Sequence, residues 1–168
     1  QPFRTPRFFP ALSAPAMAQI LFLRGASAFS AFRLQRLKNA LLAAVPGVTG
    51  VAADYWHFVA VRGELSAAAR EALSALLEAQ AAGAGESGAL FLVVPRIGTI
   101  SPWSSKATDI AWNCGLDGVE RIERGIAFRV QGKVADADRA KIAALLHDRM
   151  TESVMADFDE TAKLFQHF

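Results

Sequence analysis

Val48-Thr49-Gly50-Val51-Ala52-Ala53-Asp54-Tyr55-Trp56-His57-Phe58-Val59-Ala60-Val61-Arg62-Gly63 is the stretch on which the fold turns. β-Branched and aromatic residues crowd it, and no helical apolar period runs through it, so it is extended. It is long enough for one long strand or for two strands bent or hairpinned near Ala53-Asp54, with Gly63 closing it. A second stretch of the same kind, Val119–Val130, carries a turn signal at Arg124-Gly125.

Each extended stretch sits inside the same order of elements. Ile20–Leu23 reads as a strand. A helix follows over roughly 30–45, capped by Ser27 or Ser30 and stopped by Pro46-Gly47. After Gly63, Ser66 opens a helix over Ala67–Gln80, with Leu73, Leu76 and Leu77 as its core stripe. The small-residue segment 81–88 is a loop. Ala89–Val94 is a buried-type strand, a helix runs from about Ser104 to Asn113, and Gly115 stops it. Asp136 or Asp138 opens a last helix to about Met150.

The two halves, about 20–80 and 90–150, keep register around their second helices. Val61/Val130, Gly63/Gly132, Arg70/Arg139, Leu76/Leu145 and Leu77/Leu146 are each 69 residues apart. Each half is then a split β-α-β unit of ferredoxin-like type. The expected fold is α+β and two-layered, one sheet with helices on one face. Residues 17–150 form the domain, and 151–168 is expected to be helical.

Composition narrows the function classes. Hydrophobic residues make up 52% of the 168 and charged residues 20%, enough apolar material for a core. The net charge of +2 comes from Arg4 and Arg7: without them the remaining basic residues balance the 16 acidic ones. No basic cluster follows, so no nucleic-acid partner is expected. No apolar run has the length of a membrane span, about 18 residues or more. Gln1–Ala16 contains Pro2, Pro6, Pro10 and Pro15, two Arg and no acid. It is expected to be a disordered leader or upstream extension, with the true start at Met17.

Cys114 is the single cysteine, which excludes an internal disulfide framework and a Cys-based zinc site. It could act as a nucleophile with His57 or His147 as base. However, it falls at a helix C-terminus, where the dipole opposes a thiolate, and the plainer expectation is a buried small hydrophobe. His57, His147 and His167 are too scattered for a metal site, and His57 is expected to pack within its strand.

The densest chemistry lies in Pro95-Arg96-Ile97-Gly98-Thr99-Ile100-Ser101-Pro102-Trp103-Ser104-Ser105-Lys106-Ala107-Thr108-Asp109-Ile110. Hydroxyls, Lys106 and the free amides of a helix start could hold a phosphate or carboxylate. The pattern lacks the Gly-Lys-Ser/Thr ending of a P-loop. Read without function, it is a well-capped helix: Ser104 or Ser105 as cap, Trp103 as a staple-like packing residue.

That run, continued through Ala111 to Asn113-Cys114-Gly115-Leu116, resembles the signature near the start of the large single-chain phosphoribosylformylglycinamidine synthase family. Leu23-Arg24-Gly25 with Ser30-Ala31-Phe32-Arg33, Arg121-Ile122-Glu123-Arg124-Gly125, and Leu146-His147-Asp148-Arg149-Met150-Thr151-Glu152 are similar to further family blocks, in family order. Trp112 departs from the His of some members. The resemblance implies an N-terminal domain similar to a dimer of the family's small accessory subunit. It implies a cytoplasmic, ATP-dependent glutamine amidotransferase (a C–N ligase) of purine biosynthesis as parent. In that enzyme, synthetase and glutaminase domains are this domain's partners, ATP and Mg belong to the synthetase region, and 151–168 starts the linker to it.

On that resemblance this chain holds no catalytic residue, cofactor or metal, and is expected to be inactive alone. Its implied role is to dock glutaminase against synthetase and help enclose the ammonia path. Arg96, Thr99, Ser101, Pro102, Trp103, Ser104, Ser105, Lys106, Thr108, Asp109, Asn113, Arg124 and Arg149 are the candidates for a partner interface or the edge of the substrate site. A free-standing ferredoxin-like module binding a small regulatory ligand is the alternative.

Overall fold

The computed structural model describes residues 19–80 and 87–165. The expected leader, the start at Met17, most of the 81–88 loop, His167 and the chain end lie outside them. The elements run β1 (Gln19–Ser27), α1 (Ala31–Ala44), β2 (Val48–Val61), α2 (Ala67–Leu76), β3 (Ala89–Pro95), α3 (Pro102–Asn113), β4 (Val119–Gly132), α4 (Arg139–Leu146) and β5 (Glu152–Met155). Short 3-10 segments cover Asp136–Asp138 and Phe158–Phe165. The strands form one five-stranded antiparallel sheet in the order β1-β2-β4-β3-β5.

Alternation along the central strands separates two faces. Val51, Ala53, Val59 and Val61 of β2 meet α1 to α4 through two clusters, one centred on Leu41, Phe128 and Ile142, the other on Leu73, Ala111 and Ile122. Phe58 of β2, Leu92 and Val94 of β3 and Ala127 of β4 point the other way and pack with Met155, Phe158 and Leu164. Full burial of one such Leu, Ile or Phe stabilises the fold by about 1.5–3 kcal/mol. The helices therefore form one layer, as expected, and the C-terminal 3-10 segment covers part of the opposite face.

Of the two turns considered, the one left open at Ala53-Asp54 and the one expected at Arg124-Gly125, neither forms. β2 runs unbroken through Ala53-Asp54, because Asp54 meets Arg24 of β1 at 3.2 Å and stays within the ladder. The irregularity falls in β1 instead, between Arg24 and Ser27. β4 likewise runs unbroken through Arg124-Gly125. Gly125 serves close approach rather than turning: a Cβ there would lie 2.8 Å from the Val93 carbonyl oxygen.

Helix boundaries follow the caps. The Ser30, Ser66 and Ser101 hydroxyls accept the amides of Arg33, Ala69 and Ser104 at 3.2, 3.1 and 3.0 Å. α3 thus begins two residues before the expected Ser104, with Ser101 as its cap and Pro102 in its first turn, where its missing N–H is harmless. α2 ends at Leu76, with Leu77 as its C-cap and Glu78 in the left-handed region at φ 53°, short of Gln80. α4 ends at Leu146. Beyond it, the Asp148 carboxylate accepts the Met150 amide at 2.8 Å, and this local turn replaces further helix.

The largest correction concerns the segment expected to be wholly helical, 151–168. Glu152–Met155 is strand β5, paired with Pro95 through Leu92 on the open edge of β3. Val154 and Met155 enter opposite cores, the period of a strand, so tertiary pairing decides its state.

The fold is compatible with two ferredoxin-like repeats. Ala31 and Pro102, which open α1 and α3, are 71 residues apart, as are Val48 and Val119, which open β2 and β4. Tyr55 and Ile126 are also 71 apart and face each other across the β2–β4 ladder. The 69-residue register holds only beyond those strands, where Ser66 and Ala135 are the matching N-caps. The connection after β4 is two residues shorter than the one after β2.

Candidate functional site

β3 pairs with β4 only as far as Val93 and Ile126. Past that point β4 would show a bare edge, and α3 covers it. The Ser104 hydroxyl donates to the Ile122 carbonyl at 2.5 Å, and Thr108 Oγ1 accepts the Ile122 amide at 3.0 Å. Both side chains are buried. Two hydroxyls of the signature therefore finish a sheet edge and do not face a ligand.

The same detour opens a cleft of about 570 Å³ between the end of β3, the segment 96–101, α3 and the turn at Met150–Glu152. Arg96, Thr99, Ser101, Pro102, Trp103 and Arg124 line it, so six of the thirteen sequence candidates converge there. Arg124 lies on the helix face of β4, opposite His57 of β2. Its guanidinium carbon sits 4.4 Å from the ring centroids of both Tyr55 and Trp103. Trp103 also stacks on His57, with centroids 5.6 Å apart and planes at 26°. Trp103 thus touches both His57 and Arg124, more than a staple for its own helix.

His57 is buried, as expected, and its Nδ1 has no hydrogen-bond partner. Burial, and secondarily the Arg124 charge, lowers its pKa to about 4, against a weaker raising effect from the Leu23 backbone. It is neutral at pH 7.

Glu123 is fully buried at the same sheet edge, where the Arg121 guanidinium contacts its carboxylate. Arg121 also donates to the Leu164 carbonyl at 2.8 Å and the Thr99 carbonyl at 3.1 Å. Burial raises the Glu123 pKa, while the Arg121 charge and hydrogen bond pull it down. Neither Arg121 nor Glu123 stands out by position in the sequence. Their signal is their i, i+2 spacing, which puts both on one face of a strand.

The remaining candidates separate from the cleft. Ser105, Lys106, Asp109 and Asn113 are exposed on α3, and Arg149 is exposed in the turn after α4. Lys106 borders a smaller hollow of about 180 Å³ with Leu76, Leu77 and Ile110. Cys114, expected to be buried, is exposed at the C-cap of α3 and makes no hydrogen bond to His57 or His147. Sequence reasoning passed over Tyr55, Met150, Thr151 and Glu152 as cleft residues, since they come from three other elements.

Among the described residues, no group of three or more His, Cys, Asp or Glu could hold a metal ion. Among them too, no helix is long and apolar enough to cross a membrane.

The family described as Formylglycinamide ribonucleotide amidotransferase N-terminal matches this chain over residues 54–165. The match takes in most of β2, the signature, the cleft, the Arg121–Glu123 pair and the C-terminal 3-10 segment. The chain belongs to the N-terminal-domain family of formylglycinamide ribonucleotide amidotransferase, an enzyme of purine biosynthesis.

Proposed function

We propose that this domain is a non-catalytic docking element of its parent amidotransferase. The parent is a cytoplasmic C–N ligase that makes formylglycinamidine ribonucleotide from formylglycinamide ribonucleotide, ATP and glutamine. In this reading ATP and Mg bind in a synthetase domain, glutamine is hydrolysed in a glutaminase domain, and the present domain holds the two together. Ammonia passing between them must be kept from water, which would protonate it and remove its nucleophilicity. A closed, pre-organised domain interface does this without a catalytic residue.

One observation carries the reading. The signature is split between the fold and its surface. Ser104 and Thr108 are consumed inside, fixing α3 on the sheet edge. Ser105, Lys106, Asp109 and Asn113 are exposed and, among the described residues, make no side-chain hydrogen bond or ion pair. Trp112 beside them is 46% exposed, and Ile110 40%. A rigidly seated helix whose outer polar side chains Ser105, Lys106, Asp109 and Asn113 its own domain does not engage suits a partner surface.

Reconstitution in trans tests this. The chain is added to a family enzyme lacking its N-terminal domain, and glutamine-dependent ATP hydrolysis is followed with formylglycinamide ribonucleotide present. Restored activity that Lys106→Glu or Trp112→Ala abolishes is the expected result. A folded chain that neither binds nor restores activity overturns the reading.

A further inference from the structure

The cleft contains a guanidinium that is held in place yet has nothing to bind. Arg124 is fixed between Tyr55 and Trp103, and among the described residues it forms no ion pair and no hydrogen bond. Ring contacts engage the faces of a guanidinium and leave its in-plane N–H donors free. Those donors sit on a half-buried side chain, where unmade hydrogen bonds are costly. A pre-oriented planar fork of this kind suits bidentate contact with a carboxylate or phosphate.

The rest of the lining agrees in charge and shape. Arg96 stands in the same cleft, committed only to a long 3.4 Å contact with the Met150 carbonyl. Glu152, the acid of the lining, is turned away to accept the Asp148 amide at 2.9 Å. Val93, Pro95 and Ile126 add apolar lining to the cleft. At about 570 Å³ the space is within the range of small-molecule sites.

We propose that this cleft binds a small molecule carrying a carboxylate or phosphate on an apolar or aromatic body. Arg124 is the main anion contact, Arg96 the second, and the β3 wall with Trp103 receives the body. This goes beyond docking, which uses the outer face of α3, and the two stand or fall separately.

The test titrates the whole chain with phenyl phosphate, benzoate, inorganic phosphate and the neutral benzyl alcohol, following the Trp103 indole N–H by NMR. The Trp112 indole, bonded to the Val119 carbonyl at 2.7 Å, is the internal reference. Saturable shifts with phenyl phosphate and benzoate are expected, weakening as salt is raised. Arg124→Gln should cut affinity by roughly tenfold or more, and Arg124→Lys by several-fold, since a point charge cannot replace the fork. Lys133→Gln, exposed and outside the cleft lining, should change nothing.

Benzyl alcohol binding as tightly as benzoate would overturn the anion site. Inorganic phosphate binding as tightly as phenyl phosphate would overturn the apolar half. Undiminished binding by a folded Arg124→Gln chain would overturn the whole proposal. Should that variant fail to fold, Arg96→Gln decides: several-fold weaker binding supports the two-cation cleft, and unchanged affinity removes it.

Discussion

Thr108 Oγ1 lies 3.0 Å from the Ile122 amide nitrogen and accepts the bond that a neighbouring strand would otherwise supply. The same hydroxyl donates to the Ser104 carbonyl at 2.8 Å, one turn back along α3. Thr108→Val keeps the shape and removes the acceptor, leaving a buried amide unsatisfied. The expected loss in urea unfolding is about 1–3 kcal/mol. Thr108→Ser keeps the hydroxyl and should recover most of it. Equal stability of the two variants would show that the hydrogen bond contributes no more here than the methyl group.

Arg121 and Glu123 form an ion pair in which the carboxylate side is fully buried and the guanidinium side chain is 18% exposed. Arg121→Met strips the cation from a buried carboxylate and drops two carbonyl bonds that tie 96–101 and the C-terminal segment to β4. A loss of about 3–5 kcal/mol is expected. Adding Glu123→Gln should restore a large part of it, because no charge is then left buried. Burial alone already raises the Glu123 pKa, and losing Arg121 raises it further. In Arg121→Met the unfolded chain releases this proton above about pH 4.5 while the folded chain retains it. Its stability should therefore fall as pH rises from there. Denaturation midpoints that do not move with pH would contradict this.

Gly63 lies just past β2 and Gly132 ends β4, and substitution should separate them. Both have positive φ, 64° and 109°. A Cβ on Gly63 meets nothing within 4 Å, whereas on Gly132 it would lie 2.2 Å from the Gly47 carbonyl oxygen. Gly63→Asn should cost under about 1 kcal/mol, since Asn tolerates the left-handed region. Gly132→Ala combines backbone strain with a backbone clash and should exceed about 3 kcal/mol. Comparable melting temperatures for the two variants would argue against the clash at Gly132.

The same pair shows what was legible in the sequence. Local chemistry could be read directly: the serine caps of α1 and α2, the glycine stops, the Leu73 stripe, and the two long extended stretches. Features decided by distant partners could not. Gly125 looks like a turn residue until the Val93 carbonyl is placed 2.8 Å from its missing Cβ. Asp54 looks like a turn residue until Arg24 arrives from β1. β5 has a helical local composition and becomes a strand only because β3 has a free edge.

The candidate site divided the same way. The signature supplies most of the candidates that line the cleft, but its hydroxyls lie on different sides of α3, and Ser104 and Thr108 went to the sheet. Tyr55, the second ring on Arg124, comes from a strand paired in space and distant in sequence, so no local pattern marks it.

His57 gives the pH dependence its sign. Its folded pKa is about 4 against an ordinary 6.5, through burial first and the Arg124 charge second. Between those values the unfolded chain binds a proton that the folded chain refuses. Stability from this group is therefore fully present above about pH 6.5 and is lost as pH falls toward 4. The span corresponds to a loss on the order of 3 kcal/mol. Glu123 acts oppositely: its raised pKa makes the fold relatively stronger as pH falls toward 4.5. The His57 contribution must accordingly be taken as the difference between the native chain and His57→Gln, measured by urea unfolding across pH 4–7. That difference should shrink on acidification, because the variant cannot take up the proton. His57→Gln should also loosen Trp103, which stacks on the imidazole, and so shift the Trp103 indole resonance. Equal pH slopes for both proteins would mean that His57 is protonated inside the fold, and that the Trp103 ring tolerates two cations, His57 and Arg124, against it.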